Sequence, residues 1–284
     1  MNKKTCVITG ATSGIGYGIA KGLALKHFEL LLIGRDLHKG KSVVETLKQQ
    51  TNNPSITYYD IDLCSQRQIR RKSEEISHNH PEIDVLINNA GIWTSRFELT
   101  EEKIEKQFAV NHLAYFLLTH LLYANISQSQ DGRIINIGSD SHKYGKINFD
   151  DLNLAHSYHG LKAYGQSKLA NLLFTYELHR IKKEDHVSVY CVQPGLVKTD
   201  IGVKHTNAFH GLMWKLRRLS GMTPEQAAET AIYLATAPEA SGSSGLYWDK
   251  CKPKPSSERS KNLQDAERLW KMSEKLCGIE KYFR

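Results

Sequence analysis

The chain has 284 residues, of which 40% are hydrophobic and 24% are charged. This composition is ordinary for a globular protein and excludes a disordered or fibrous chain. Lysine and arginine outnumber aspartate and glutamate by 38 to 30, which gives a formal net charge of +8. Such a balance raises the chance of anionic ligands or surfaces, although basic residues that simply keep the protein soluble are the preferred explanation.

Short apolar runs alternate along the chain with longer stretches of helical periodicity. The runs predicted as strands are Thr5–Thr9, Glu29–Ile33, Ile56–Tyr59, Val85–Ile87, Arg133–Ile137, Val187–Val192 and Gly245–Trp248. The stretches predicted as helices are Ile15–Lys26, Leu37–Gln50, Ser65–Ser77, Thr100–Ile126, Leu161–Lys182 and Pro224–Ala237. Strands that are apolar throughout are typical of parallel sheets buried on both faces. The alternation therefore predicts an α/β fold, a single-domain doubly wound parallel sheet of Rossmann type with helices on both faces.

We assign one dinucleotide-binding catalytic domain to residues 1–250. The tail, residues 251–284, begins with loop-like sequence, and the spacing of Leu263–Leu276 predicts an amphipathic helix. Whether this tail packs on the domain or frays stays open at this point.

The cysteines and the apolar stretches indicate where in the cell the protein is expected. The five cysteines are scattered without a C-x-x-C pair, so we expect neither a disulfide framework nor a metal site, and a cytoplasmic location fits best. The N-terminus enters a strand-like run almost at once, and we expect no signal peptide or anchor. The most apolar later stretch, residues 114–124, is too short to span a bilayer.

A glycine-rich turn lies between the first predicted strand and the first predicted helix. It contains Gly10, Gly14 and Gly16, with Ser13 and Ile15 between them. Glycines allow a tight turn and let the backbone approach a pyrophosphate, and the N–H groups at the start of the helix favour an anion. Because ligands of open α/β sheets bind beyond the carboxyl ends of the strands, this turn predicts a dinucleotide site.

The end of the second predicted strand selects between NAD and NADP(H). An NAD site usually places a carboxylate there to accept from the ribose 2′-hydroxyl, whereas a 2′-phosphate requires a nearby arginine. Here Gly34 offers no acceptor, and the guanidinium of the following Arg35 can bind a phosphate bidentately. We expect NADP(H); if Asp36 aligned with the acceptor position instead, NAD would be favoured.

These residues resemble the short-chain dehydrogenases/reductases, in the non-extended branch with the T-G-x-x-x-G-x-G turn. Further matches follow in the family's order, at Asp62-Leu63, Asn88-Asn89-Ala90-Gly91, Pro194-Gly195 and Thr199. The resemblance implies contacts with the adenine ring at Asp62 and Leu63, with the ribose and nicotinamide side at Asn89, Ala90 and Gly91, and with the carboxamide at Pro194, Gly195 and Thr199.

Tyr164 and Lys168 form a Y-x-x-x-K pair, so both side chains share one face of a predicted helix. Free tyrosine has a pKa near ~10, and an acid or base that works near neutrality needs a pKa of about 7. The neighbouring ammonium, together with the positive ring of an oxidised nicotinamide, is the expected source of such a lowering. By the family's pattern, Lys168 also hydrogen-bonds the nicotinamide ribose.

Two further residues complete the predicted catalytic group. Ser139 ends the fifth predicted strand, and its hydroxyl is expected to donate to the substrate carbonyl oxygen as negative charge develops there. Ser141 is a less favoured alternative. Asn111 matches the family's helix asparagine, which holds a water that links Lys168 to solvent. A buried asparagine that satisfies the helix backbone is the other interpretation, and the two roles are compatible.

Residues 142–152 and 193–199 resemble the retinol dehydrogenase group. This implies lipophilic aldehydes, ketones or retinoid-like alcohols as substrates. Residues 200–222 lie where the family has its mobile substrate lid, and an apolar stripe of Leu212, Leu216 and Leu219 suits such a substrate. The basic residues of this segment suit peripheral contact with a membrane surface, and a helix packed on its own domain is an equally weighted alternative.

The sequence thus predicts an NADP(H)-dependent oxidoreductase that transfers hydride between nicotinamide and a carbonyl or alcohol. The alternative, an NADPH-binding sensor or interaction module with little turnover, does not need the intact catalytic group. Nucleic-acid binding would rest on net charge alone, and no recognised motif supports it. Finally, Thr100–Ile126 is apolar around more of its circumference than a half-exposed helix needs, and the resemblance implies a homodimer through this helix.

Overall fold

The computed structural model describes residues 3–184, 186–195 and 221–283. Within them, seven parallel strands and a short antiparallel one form a single sheet in the order β3-β2-β1-β4-β5-β6-β7-β8. The strands are β1 (Thr5–Thr9), β2 (Glu29–Gly34), β3 (Ile56–Asp60), β4 (Val85–Asn88), β5 (Arg133–Ile137), β6 (Ser188–Gln193), β7 (Leu246–Asp249) and β8 (Lys252–Pro253). The predicted α/β sheet is confirmed, and most strands run about one residue beyond the predicted carboxyl end.

Helices cover both faces of the sheet. They are α1 (Gly14–Ala24), α2 (Leu37–Thr51), α3 (Gln66–Asn79), the single-turn α4 (Lys106–Phe108), α5 (Ala114–Ile126), α6 (Gly160–Ile181), α7 (Pro224–Thr236) and α8 (Leu263–Leu276). A π-helical segment, Ala109–Leu113, joins α4 to α5, and 3₁₀ turns cover Asp140–Tyr144, Pro238–Ser243 and Glu258–Lys261. In the described ranges, no helix has the length and apolar character needed to cross a membrane.

The sheet separates two apolar clusters, as parallel strands buried on both faces require. Residues of α1, α2 and α7 pack on one face, and residues of α3, α5, α6 and α8 pack on the other. Because β1 pairs with both β2 and β4, the direction of winding reverses at β1. Ligands of such sheets bind at this reversal, beyond the carboxyl ends of the strands.

The helix predicted over Thr100–Ile126 begins later than the periodicity indicated. The Glu105 carboxylate accepts the backbone N–H groups of Gln107 at 2.9 Å and Phe108 at 2.7 Å, and so caps the helix at that point. Before it, Thr100 and Ile104 close a turn through a backbone hydrogen bond of 2.8 Å. The predicted start is therefore wrong, because a buried capping carboxylate rather than the apolar spacing sets it.

The C-terminal segment covers α5. The predicted helix Leu263–Leu276 is present with those bounds as α8, and its Trp270 ring lies 4.9 Å from the ring of Phe116 and 5.8 Å from that of Phe174. Tyr282 adds a second ring contact with Phe116, at 4.7 Å. The apolar circumference of α5, on which the homodimer prediction rested, is thus buried within one chain and does not require a second subunit.

Candidate active site

The glycine turn between β1 and α1 is tightly closed. Gly10 and Gly14 have φ angles of +67° and +56°, which favour glycine, and a Cβ on Gly16 would collide with the carbonyl oxygen of Gly10. Ser13 occupies the N-cap of α1 without a side-chain capping bond, and the first turn carries no acidic residue. Backbone N–H groups at the positive end of α1 are therefore the donors at this turn, and they fit an anionic pyrophosphate.

The end of β4 supports this turn through side chains. Asn89 Nδ2 donates to the carbonyl oxygens of Thr9 at 2.8 Å and Gly10 at 3.3 Å. In return, the Thr9 hydroxyl oxygen accepts the backbone N–H groups of Asn89 and Ala90, each at 2.9 Å. The Asn89 side chain thus holds the turn in place, and Gly91 follows two residues later. Thr9 opens the family's turn motif, and sequence reasoning missed this supporting role.

The residues that follow β2 bear on the choice of dinucleotide. Gly34 has no side chain that could accept from a ribose hydroxyl, and a Cβ on it would lie 2.7 Å from the Tyr58 hydroxyl oxygen, which would have to shift. The Asp36 carboxylate accepts the backbone N–H of Lys39 at 2.9 Å and caps α2. Arg35 lies between them with an exposed side chain. The carboxylate that would favour NAD is therefore bound to its own helix.

The other predicted nucleotide contacts lie beyond the carboxyl ends of β3 and β6. Asp62 and Leu63 follow β3, and the Asp62 carboxylate accepts the backbone N–H of Cys64 at 3.0 Å. Pro194 and Gly195 follow β6, where Gly195 has a φ of +79°. Thr199 and most of the predicted lid at 200–222 lie outside the described residues.

Lys168 lies within α6 and its side chain is buried against β5. Its side chain is only 3% exposed, and its ammonium donates to the carbonyl oxygen of Ile137 at 2.8 Å. The same nitrogen lies 5.8 Å from the ring centre of Tyr164 and 5.9 Å from that of Tyr115. Burial lowers the pKa of Lys168 to about 8.

Tyr164 and Ser139 lie together at the carboxyl end of β5. Burial raises the pKa of Tyr164 to about 12, and a hydrogen bond with the Ser139 side chain acts in the opposite direction. In the chain without a bound dinucleotide, burial therefore has the larger effect on the pKa of Tyr164, and the Lys168 ammonium is hydrogen-bonded to a backbone carbonyl beside the ring. The predicted lowering by this ammonium together with an oxidised nicotinamide stays a prediction. Ser141 supports Ser139, since its backbone N–H donates to the Ser139 hydroxyl oxygen at 3.1 Å.

Asn111 lies in the π-helical segment and is fully buried. Its Oδ1 accepts the backbone N–H of Ile92 at 2.8 Å, and its Nδ2 donates to the carbonyl oxygen of Ile92 at 3.0 Å and to the hydroxyl of Ser167 at 3.0 Å. A Cβ on Gly91 would lie 3.5 Å from Asn111 Oδ1 and 3.8 Å from Lys168 Nζ. Asn111 thus joins the loop after β4 to α6, rather than satisfying its own helix.

Tyr115 is a neighbour of the site that sequence reasoning missed. Its hydroxyl donates to the carbonyl oxygen of Ala90 at 2.8 Å, and its ring lies beside the Lys168 ammonium. The spacing from Asn111 to Tyr115 is one helical turn, so the two side chains share a face. This four-residue spacing from Asn111 is the sequence signal that could have identified Tyr115.

The described part of the chain has no group of three or more His, Cys, Asp or Glu side chains arranged to hold a metal ion. The two histidines that follow Asn111 along the helix instead contact the C-terminal segment. His112 Nε2 lies 3.0 Å from the Ser273 hydroxyl, and His120 Nδ1 lies 2.6 Å from the Tyr282 carbonyl oxygen. Both contacts tie the helix of Asn111 to α8 and the residues after it.

The chain is similar to known proteins over most of its length. Residues 4–208 match the family described as short chain dehydrogenase. Retinol dehydrogenase 13 of Homo sapiens is 38% identical, with 98% of this chain and 85% of that protein covered. Retinol dehydrogenase 14 of Mus musculus is 36% identical, with 99% and 88% covered.

Solved structures share the fold. An uncharacterized protein from Mycobacterium paratuberculosis is 31% identical, with a TM-score of 0.78 over 98% of this chain and 94% of that one. A short chain dehydrogenase from Escherichia coli CFT073, solved in complex with NADPH, has a TM-score of 0.70 over 88% and 97% of the two chains. At 21% identity, the second likeness concerns the fold alone.

Proposed function

This chain belongs to the short chain dehydrogenase family and resembles its retinol dehydrogenase group, and on that premise we propose that it transfers hydride between NADP(H) and a lipophilic carbonyl or alcohol. One observation carries the proposal. The side chains of Ser139, Tyr164 and Lys168 meet at the carboxyl end of β5, on the same edge of the sheet as the glycine turn after β1. A binding module without turnover has no need of this group.

Proton transfer to the substrate oxygen is the part of the reaction that these side chains perform. Before the dinucleotide binds, the pKa of Tyr164 is about 12, so its hydroxyl holds a proton at neutral pH. The positive charge of Lys168 acts to bring this pKa towards the range in which the proton passes readily to a carbonyl oxygen. The Ser139 hydroxyl polarises the same oxygen as negative charge develops there. Lys168, with a pKa of about 8, is mainly charged at pH 7 and stabilises the phenolate that remains. When bound, the reduced nicotinamide supplies the hydride.

The residues after β2 favour NADP(H) over NAD. Gly34 carries no acceptor, and the Asp36 carboxylate already caps α2. The exposed Arg35 guanidinium is left as the group that can bind a 2′-phosphate. Of the two dinucleotides, NADP(H) therefore has the better complement here.

The relatives support a lipophilic substrate. Their names describe dehydrogenases of retinol, an apolar alcohol, and they match this chain over nearly its whole length. We therefore assign a lipophilic aldehyde, ketone or retinoid-like alcohol to the site.

A cytoplasmic location, peripheral membrane contact and a homodimer stay predictions. The burial of α5 by the chain's own Trp270 removes one reason for the dimer.

A substrate panel tests the proposal. Purified protein is assayed with NADPH and with NADH against aldehydes of increasing chain length, retinal included. We expect kcat/KM to be about tenfold or more higher with NADPH, since a hydrogen bond to a charged group contributes ~1.5–3 kcal/mol. We also expect long apolar carbonyls to exceed short polar ones. Tight NADPH binding without any turnover would favour the sensor alternative, and a preference for short polar carbonyls would contradict the assigned substrate class.

A further inference from the structure

The 3₁₀ turn that follows Ser139 is bound by residues that come more than a hundred positions later. The ammonium of Lys254 donates to Asp140 Oδ2 at 2.9 Å and to Asp249 Oδ2 at 2.8 Å. Asp249 is the last residue of β7, so one cation joins the turn to the end of a strand. Tyr247 of the same strand donates to Asp140 Oδ1 at 3.2 Å.

A second connection runs through His142. Its Nε2 accepts the backbone N–H of Ser257 at 3.1 Å, and its Nδ1 lies 2.7 Å from the carbonyl oxygen of Ser139. Because a backbone N–H only donates, Nε2 must be the unprotonated nitrogen of a neutral imidazole. Nδ1 then carries the proton and donates it to Ser139. The C-terminal segment thus reaches the main chain of the catalytic serine through one side chain.

The far end of the turn is fixed as well. The guanidinium of Arg259 donates to the carbonyl oxygen of Gly145 at 3.1 Å. Gly145 packs directly on Gly165, so closely that a Cβ on it would collide with the Gly165 carbonyl oxygen. Since Gly165 follows Tyr164 on α6, these contacts set the turn of Ser139 against the helix of Tyr164.

We propose that Lys254 and Ser257 are positioning residues of the reaction, which hold the Ser139 turn where the Ser139 and Tyr164 hydroxyls reach one substrate oxygen. The inference rests on the proposed function and deepens it. Neither residue touches the glycine turn that would bind the dinucleotide.

The Lys254 ion pairs are partly exposed, at 26% for Lys254, 37% for Asp140 and 24% for Asp249. Pairs of this kind contribute little to global stability, so their effect falls on local geometry.

Two variants remove one connection each. Lys254→Met removes the bridging cation. Ser257→Pro replaces the N–H that His142 accepts with the proline ring and also removes the Ser257 hydroxyl, while the Ser257 φ of −70° suits proline. For each variant we expect kcat for carbonyl reduction to fall by about tenfold, because small misplacements of reacting groups cost rates of this order or more. The Kd for NADPH should stay at the wild-type value.

Two further variants test whether a loss of kcat comes from misplacement of the Ser139 turn or from any change of charge in the C-terminal segment. Lys254→Arg keeps a cation for both carboxylates and should recover most of kcat. Lys261→Met removes an ammonium of the same segment whose ion pair within the described ranges is with Glu258, at 2.8 Å, and should leave kcat unchanged.

All four variants are first compared with a wild-type protein that turns over a carbonyl. Absence of wild-type turnover would overturn the proposed function itself. With wild-type turnover established, normal kcat in both Lys254→Met and Ser257→Pro would overturn the positioning roles. A fall in kcat that is matched by loss of NADPH binding and of folded protein would overturn them too, because positioning predicts a selective loss.

Discussion

At the scale of single residues, Tyr164 shows what local spacing predicts and what it misses. The Y-x-x-x-K spacing correctly indicated that Tyr164 and Lys168 share a face of one helix. It gave no information on Ile137, whose carbonyl oxygen accepts from the Lys168 ammonium, nor on the burial that raises the pKa of the phenol to about 12. Both depend on how β5 lies under α6, and this is a tertiary feature.

Arg35 is the residue at which the cofactor preference is tested. Arg35→Ser removes the exposed guanidinium after β2, and the KM for NADPH should rise by about tenfold or more because a charge-assisted hydrogen bond is lost. The KM for NADH should change little. Steady-state kinetics with both cofactors measure the difference, and Arg71→Ser, at an exposed position on α3, is the control. Equal losses for both cofactors would contradict a role for Arg35 in choosing between them.

At the scale of elements, the bounds of α8 were predictable and its partners were not. The amphipathic spacing of Leu263–Leu276 predicted the helix with the bounds observed. Its Trp270 packs on Phe116 and Phe174, about 150 and about 100 positions earlier. No pattern within the helix identifies such distant partners. The apolar circumference of α5 consequently suggested a second subunit, whereas the chain's own tail covers it.

The packing of α8 predicts a large stability effect at Trp270. Trp270→Ala should lower the free energy of unfolding by about 3–5 kcal/mol, since truncation of a buried aromatic side chain removes apolar contacts and leaves a cavity. Lys271→Ala is the neighbouring control. Its pair with Glu267, at 2.6 Å, is exposed to solvent and should contribute little to the free energy of unfolding. Chemical denaturation measures both variants, and equal stabilities would show that α8 is not docked on α5 and α6.

At the scale of the whole molecule, the chain order explains why the site could be predicted at all. The carboxyl ends of parallel strands meet at one edge of a sheet, so the glycine turn after β1, Gly91 after β4 and Ser139 after β5 come together once the topology is known. The C-terminal contribution to this edge was not predictable. In the sequence, Lys254 and Asp140 look like ordinary charged surface residues. The antiparallel pairing of β8 with β7 brings them together.

The central claim is that this edge performs acid–base chemistry through one phenol, and Tyr164→Phe tests it most directly. Carbonyl turnover should fall by about 10²–10⁴-fold, the usual contribution of a positioned acid or base, while NADPH binding stays near the wild-type value. Tyr176→Phe, on the same helix and bonded to Ser256 at 2.8 Å, should keep its activity. Undiminished turnover in Tyr164→Phe, with NADPH bound normally, would contradict the account.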